Sequence, residues 1–235
     1  MTLENIMAEL ATYGDENIKK ILLKHGIKEP LFGVRVEHLK IIQKKIKMDY
    51  DIARKLFLTG NADAMYLAGL IADDKKMTKD DLNQWVTLAV SNNISEYTVP
   101  WVTAGSNHGF ELAMEWINNS EEHIAAAGWS TLSGLAALKT DNELDLAIFK
   151  NLLNRVENNI HTAKNRERYT MNGFVISVGA YLKDLTKDAQ NTATRIGKVT
   201  VFMGETSCKV PDAVAYIQKI SDKGLIGKKK KVLKC

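Results

Sequence analysis

The chain has 235 residues, 45% hydrophobic and 26% charged, with three prolines and two cysteines, Cys208 and Cys235. No apolar run approaches the roughly 18 residues that cross a bilayer, no basic-then-apolar segment follows Met1, and two cysteines without a CxxC neither staple a secreted fold nor suggest a zinc site. A cytoplasmic protein with reduced thiols is expected, and its net charge of +4 is uneven: residues 223–235 hold six lysines and no acid, leaving −2 for the rest.

In chain order, Leu3, Ile6, Met7 and Leu10 share one helical face, and Gly14 stops that helix; Ile18, Ile21 and Leu22 form the next stripe, ended by Gly26. After the break at Pro30 and Gly33, Val36, Leu39, Ile42 and Ile46 mark a third helix, and Ile52, Leu56 and Phe57 a fourth. Then a particular helix type begins to recur. An apolar run holding a glycine, a polar turn and a second amphipathic helix appears as Ala64–Ala72 before Leu82–Val90. It returns as Ile124–Ala137 before Leu144–Val156, and as Thr170–Phe174 onward before Ala189–Ile196. Thr78 followed by Asp81 has the spacing of a capping box. Ser95–Ala104 and Phe110–Asn118 supply another pair. Val199, Val201 and Met203 alternate, which predicts an extended connection, and Pro211 is expected in the first turn of a last helix through Ile220.

A helix pair copied along a chain buries its apolar face against its neighbours, so an all-α solenoid of five to seven helical hairpins is predicted. With no linker-like composition to mark a boundary, residues 1–222 read as one domain, followed by the lysine-rich tail 223–235. Gly69, Gly128, Gly134, Gly173 and Gly179 sit inside helices, where each costs about 1 kcal/mol relative to alanine. Close approach of neighbouring helices is the expected compensation.

Most catalytic constellations are missing. There is no GxGxxG or GxxxxGK[ST] phosphate loop. Ala104-Gly-Ser106-Asn-His108-Gly109 sets a serine near a histidine without being a GxSxG elbow. The five histidines, His25, His38, His108, His123 and His161, show no HxxxH pairing, so no metal and no cofactor is expected. Tyr97 and Trp101, four apart, share a helix face, with Trp129 one repeat later and Phe174 one repeat beyond. Such aromatics belong more often to a core than to a ligand site. His161-Thr-Ala-Lys164-Asn-Arg166-Glu-Arg168-Tyr169 gathers cations at a helix start, where backbone N–H groups and the dipole attract phosphate; a solvated face is the alternative. Lys228 to Lys231, with Lys223 and Lys234, read either as a solvated end or as a mobile polyanion-binding arm.

The helical pairs, the opening Phe32-Gly33-Val34-Arg35-Val36 with Leu39-Lys40-Ile41-Ile42, and the aromatics of the central repeats resemble the DNA alkylation repair enzyme family, the HEAT-like-repeat alkylpurine DNA glycosylases. The similarity spans nearly the whole chain. The resemblance implies a right-handed helical solenoid whose concave face grips duplex DNA, and hydrolysis of the N-glycosidic bond of cationic alkylated purines without a metal and without extruding the base. In active members a tryptophan is followed four residues later by an aspartate; the matching positions here are Tyr97 and Trp101, an aromatic pair without the carboxylate. Glu96 substitutes only if the register is off by one. The family's arginine falls near Ala127 or Gly128, and a further aromatic position is met by Phe174.

The resemblance therefore implies duplex DNA, alkylated or otherwise damaged, as partner to a monomer, with weak or lost excision. Candidate contacts are Trp129, Lys164, Arg166, Arg168, Asn172, Phe174, Lys209, Lys228, Lys229, Lys230 and Lys231, with Tyr97, Trp101 and Glu96 as the candidates for any chemistry. The alternative is a scaffold binding a protein partner, since stacked helical repeats serve that purpose equally. The directions of Lys40, Lys44, Arg166, Arg168 and Lys209 would discriminate the two.

Overall fold

A computed structural model describes residues 1–89 and 91–234; Val90, an expected helix end, and Cys235, an expected free thiol, lie outside the described residues. The chain is all-α, with thirteen α-helices and no strand among the described residues. It divides into two compact units, one comprising residues 1–108, 203–207 and Lys234, the other 109–202 and 208–233. No helix among the described residues is long and apolar enough to cross a membrane.

The first unit holds α1 (Leu3–Thr12), α2 (Glu16–Lys24), α3 (Val36–Ile46), α4 (Tyr50–Leu58), α5 (Ala62–Ile71), α6 (Lys79–Leu88) and α7 (Val99–Gly105). Short polar caps set several starts: the side chains of Thr2, Asp15, Asp49 and Asn61 each accept a first-turn N–H. At α6 the capping box is complete, with Thr78 Oγ1 accepting the Asp81 N–H and the Asp81 carboxylate accepting the Thr78 N–H, both at 3.1 Å. Asp81 also accepts from the Tyr50 hydroxyl at 2.7 Å and pairs with Arg54 at 2.7 Å. Burial alone would raise its carboxyl, but these partners hold it below the ordinary value. Phe57 and Trp85 stack face to face, centroids 4.0 Å apart, in the core of this unit.

The loop before α3 hangs on one acid. Asp63, 5% exposed in the first turn of α5, accepts the backbone N–H groups of Phe32, Gly33 and Val34 at 2.6, 3.0 and 3.1 Å. Gly33 there has φ +81°, and a Cβ on it would lie 2.5 Å from the Asp15 carbonyl oxygen, so only glycine fits.

The second unit holds α8 (Gly109–Trp116), α9 (Glu122–Leu138), α10 (Leu146–Asn159), α11 (Asn165–Tyr181), α12 (Thr186–Ile196) and α13 (Ala213–Asp222). The recurring glycine-bearing helices are α5, α9 and α11; α5 and α9 are apolar almost all round because neighbours cover nearly every face, whereas α11 opens on the polar, half-buried stretch 165–169 and is mostly buried from Thr170 onward. In α5 only Tyr66 escapes burial. α10 and α12 are amphipathic by contrast, burying Phe149, Leu152, Leu153 and Val156 on one and Ala189, Thr192, Ala193 and Ile196 on the other. Pro211 stands just outside α13, correcting its expected place in the first turn: Asp212 is the cap, its carboxylate accepting the Ala215 N–H at 2.8 Å.

The helix glycines divide by what lies above them. A Cβ on Gly128 would come 2.7 Å from the Ile117 nitrogen and 3.0 Å from the Ala113 oxygen, whereas Gly173 has nothing within 4 Å. Gly69 and Gly179 resemble Gly128, facing Thr98 and Ile217. Close approach therefore explains Gly128, Gly69 and Gly179 but not Gly173. Gly128→Ala is expected to cost about 1–3 kcal/mol through backbone overlap, and Gly173→Ala to gain about 0.5–1 kcal/mol. Thermal melts that moved in the same direction for both would contradict this division.

The lysine-rich segment is not a free end. The Gly227 N–H donates to the Ala180 carbonyl at 2.8 Å and the Lys230 N–H to the Ala137 carbonyl at 2.8 Å. Lys229 Nζ donates to the Ala136 carbonyl at 3.0 Å and pairs with Asp141 at 2.7 Å. In the first unit, Lys234 Nζ reaches the Ala72 carbonyl at 2.7 Å and Asp74 at 2.6 Å. Burial holds the Asp74 carboxyl above its ordinary value despite that cation. The expected solvated or mobile arm is corrected by these bonds, which satisfy carbonyls that helix C-termini leave without intrahelical partners.

Candidate functional site

In the first unit the chain between α6 and α7 contains a π-helical turn, Ile94–Thr98, where the sequence predicted uninterrupted α-helix. The Val99 N–H donates to the Ile94 carbonyl and the Thr98 hydroxyl to the Asn93 carbonyl, both five residues back. The cause lies next door. Pro100, in the first turn of α7, has no N–H for the carbonyl four residues earlier, and its ring crowds that position, so the turn widens. A Cβ on Gly69 would overlap the Thr98 methyl, so glycine lets this widened turn settle against α5.

The outcome is an aromatic trio. Tyr97 is 44% exposed, and its ring centroid lies 6.3 Å from that of half-buried Trp101. Trp101 meets Tyr66 of α5 edge to face at 5.5 Å. Glu96, 4% exposed, is buried. The carboxylate of position 96 therefore does not reach the surface beside Tyr97 and Trp101. Tyr66 was missed from sequence because it sits in an apolar run, although it is the one large polar-tipped residue of that run.

In the second unit the expected contacts separate. Trp129 and Phe174 are both 0% exposed, with centroids 5.3 Å apart, and Phe174 stacks on Phe149. Asn172 is 3% exposed, its amide donating to the Pro211 carbonyl at 2.9 Å. These three are core residues and offer nothing to a ligand, which corrects their place among the contacts. Arg155, not singled out in the sequence, lies 5.5 Å from the Trp129 ring centroid and donates to Asn118 Oδ1 and the Ile117 carbonyl at 2.8 and 2.7 Å.

The start of α11 also differs from expectation. The Arg166 N–H donates to the Glu122 carboxylate at 2.7 Å, so an acid of this chain already occupies that part of the helix N-terminus. The Arg166 guanidinium lies over Tyr169, 4.5 Å from its centroid. Arg168 donates to the Thr200 and Ala163 carbonyls at 2.8 and 2.9 Å, and Lys164 donates to the Ser120 carbonyl. Arg168 and Asn165 hold the extended segment after α12 in place. Asn165 donates to the Phe202 carbonyl at 2.9 Å and accepts the Phe202 N–H at 2.7 Å. The clamped Phe202 is 74% exposed. Sequence reading took this stretch for a connection and passed over the ring it presents.

Lys209, Lys228, Lys230 and Lys231 are exposed cations of this unit, while Lys229 turns inward to Asp141. Lys40 is half-buried and Lys44 exposed, both in the first unit. A cleft of about 250 Å³ lined by Arg155, Asn159, Thr162, Ala163, Glu167 and Met171 opens between α10 and α11. Among the described residues no group of three His, Cys, Asp or Glu side chains is placed to hold a metal.

Comparison with known proteins matches this architecture throughout. The family described as "DNA alkylation repair enzyme" matches residues 6–192. Uncharacterized protein Lmo0209 of Listeria monocytogenes serovar 1/2a is 32% identical over 225 residues, covering 93% of this chain and 97% of that protein. Uncharacterized protein Lin0241 of Listeria innocua serovar 6a is 31% identical over the same shares. A solved structure described as "a new family of proteins related to the HEAT-like repeat DNA glycosylases with affinity for branched DNA structures" superposes with a TM-score of 0.92, at 34% identity and over 100% of both chains.

Proposed function

Because the chain belongs to the DNA alkylation repair enzyme family, we propose that it binds DNA, favours branched over linear duplexes, and does not excise alkylated purines. The observation that carries this reading is the aromatic surface formed by Tyr97 of the π turn and Trp101 of α7, with the neighbouring Glu96 buried. Glycoside cleavage needs an anion facing the developing positive charge, and an aromatic face without a carboxylate binds bases instead. A branch point exposes base faces that a continuous duplex stacks away. Stacking on an aromatic side chain is worth about 1–3 kcal/mol per base. The second unit offers phosphate contacts in Lys209, Lys228, Lys230 and Lys231, and in Phe202 a ring held ready to enter a base step. The solved relative described by affinity for branched DNA, alike over the full length, supports the same substrate class.

The test is titration of a fluorescent four-way junction and a linear duplex of equal length over a range of salt. The junction is expected to bind the more tightly. If about four to six phosphates are neutralised, log affinity falls with log salt at a slope near −4 to −5. Equal affinity for the two DNAs, or binding indifferent to salt, sinks the proposal.

A further inference from the structure

The docked tail does more than tidy helix ends. Residues 227–230 run along the C-termini of α9 and α11, bonded to the carbonyls of Ala180, Ala136 and Ala137. Along this segment the lysines differ in exposure. With Lys229 turned inward onto Asp141 at 2.7 Å, Lys228 and Lys230 face solvent, and Lys231 follows them exposed. Lys183, also exposed, lies beside the same segment, its Cβ 3.4 Å from where a Cβ on Gly227 would stand. We infer that Lys229 and Asp141 pin this strap so that Lys228, Lys230 and Lys231 form a pre-set edge for successive phosphates of a nucleic-acid backbone, rather than a tethered, disordered arm. Lys229 and Asp141 are positioning residues in this arrangement, and the inference rests on the DNA-binding reading above.

The reasoning gives a sign that simple electrostatics does not. Removing an acid near a polyanion site ordinarily strengthens binding, because repulsion is lost. Here Asp141→Asn frees the strap, so the three exposed lysines must be ordered when DNA binds. Because the freed lysines keep part of their order, the net cost is that of ordering about one side chain anew, about 0.5–1.5 kcal/mol, which corresponds to a loss of roughly three- to ten-fold.

Junction binding is measured with the full chain, with Asp141→Asn, with Lys229→Met, and with Lys228, Lys230 and Lys231 together changed to Gln. The triple change is expected to flatten the salt slope by about 2 to 3. Asp141→Asn and Lys229→Met are expected each to weaken binding by roughly three- to ten-fold and to speed tryptic cleavage within 228–231. Lys229→Met guards against a folding defect peculiar to position 141. If the unmodified chain binds but both pin variants bind as tightly or more tightly, the pinned edge is overturned and the DNA reading stands. If the unmodified chain shows no salt-sensitive binding, the functional reading falls and this inference with it.

Discussion

In a single-turnover assay on duplex DNA carrying a methylated purine, the unmodified protein is expected to release no base above the uncatalysed background. Departure of a purine leaves an oxocarbenium-like sugar, and the largest service a glycosylase performs is electrostatic stabilisation of that charge. Losing one such stabilising group costs on the order of 10²–10³ in rate. Where active relatives place an aspartate the resemblance sets Trp101, and where they place an arginine it sets Ala127 or Gly128, both buried. Trp101→Asp restores one anion but also removes the edge contact to Tyr66, so at most a trace of release is expected from it. Tyr97→Ala is expected to leave the absence of release unchanged while weakening junction binding about 5- to 100-fold, the worth of one stacked base. Robust release by the unmodified chain that Tyr97→Ala or Glu96→Gln abolishes would show that a carboxylate now buried comes to the surface and does the work.

The largest stability effect is expected at Asp63. Asp63→Ala leaves the N–H groups of Phe32, Gly33 and Val34 without their acceptor. Each hydrogen bond to a charged group is worth about 1.5–3 kcal/mol and the three are not independent, so a total loss of about 3–5 kcal/mol is expected in urea denaturation. Asp63→Asn is expected to recover only part of it, since an amide NH2 then confronts a backbone donor. Burial holds the Asp63 carboxyl above its ordinary value, the three N–H bonds pulling it only partly back. Between the ordinary value and the raised one the folded chain binds more protons than the unfolded chain. The contribution of this titration is therefore fully present below the ordinary carboxylate range and is lost as pH rises through the raised value. Asp63→Asn flattens that part of the pH profile; an unchanged profile, or a loss for Asp63→Ala under about 1 kcal/mol, contradicts this account.

The helices were legible because their signals are local: the stripe Leu3, Ile6 and Leu10, the box from Thr78 to Asp81, and the glycine-bearing runs each carry their pattern within a few residues. The all-α fold follows from the repetition of those patterns, whereas the family was legible only as a resemblance, carried by the segment from Phe32 to Ile42 and the central aromatics as well as by the helical pairs. The site was much less legible. Trp129 and Phe174 follow Tyr97 and Trp101 one and two repeats on, yet the later two are fully buried while Tyr97 is exposed and Trp101 half-buried. Burial depends on what the neighbouring repeat brings, which spacing does not encode. The cations misled for a related reason. Arg168 and Lys229 find carbonyls 32 and 93 residues away, and Arg166 shares its helix start with Glu122, 44 residues earlier. A charge run shows how much charge is present, not which of it is already spoken for.

The π turn at Ile94–Thr98 bears on how this surface can change by descent. Such a turn amounts to one residue inserted into an α-helix, and each residue advances the helix by about 100°. Deleting a single codon at Thr98 or Val99, between Tyr97 and Pro100, would restore ordinary winding and swing everything N-terminal to the deletion by that angle relative to α7. Tyr97 would then face elsewhere while Trp101 stayed put. Point substitutions alter the rings one at a time, whereas an insertion or deletion of one residue makes or dissolves the pair in one step. Among related chains, the gap pattern just before the proline is therefore the feature to follow in tracing which lineages present two rings here.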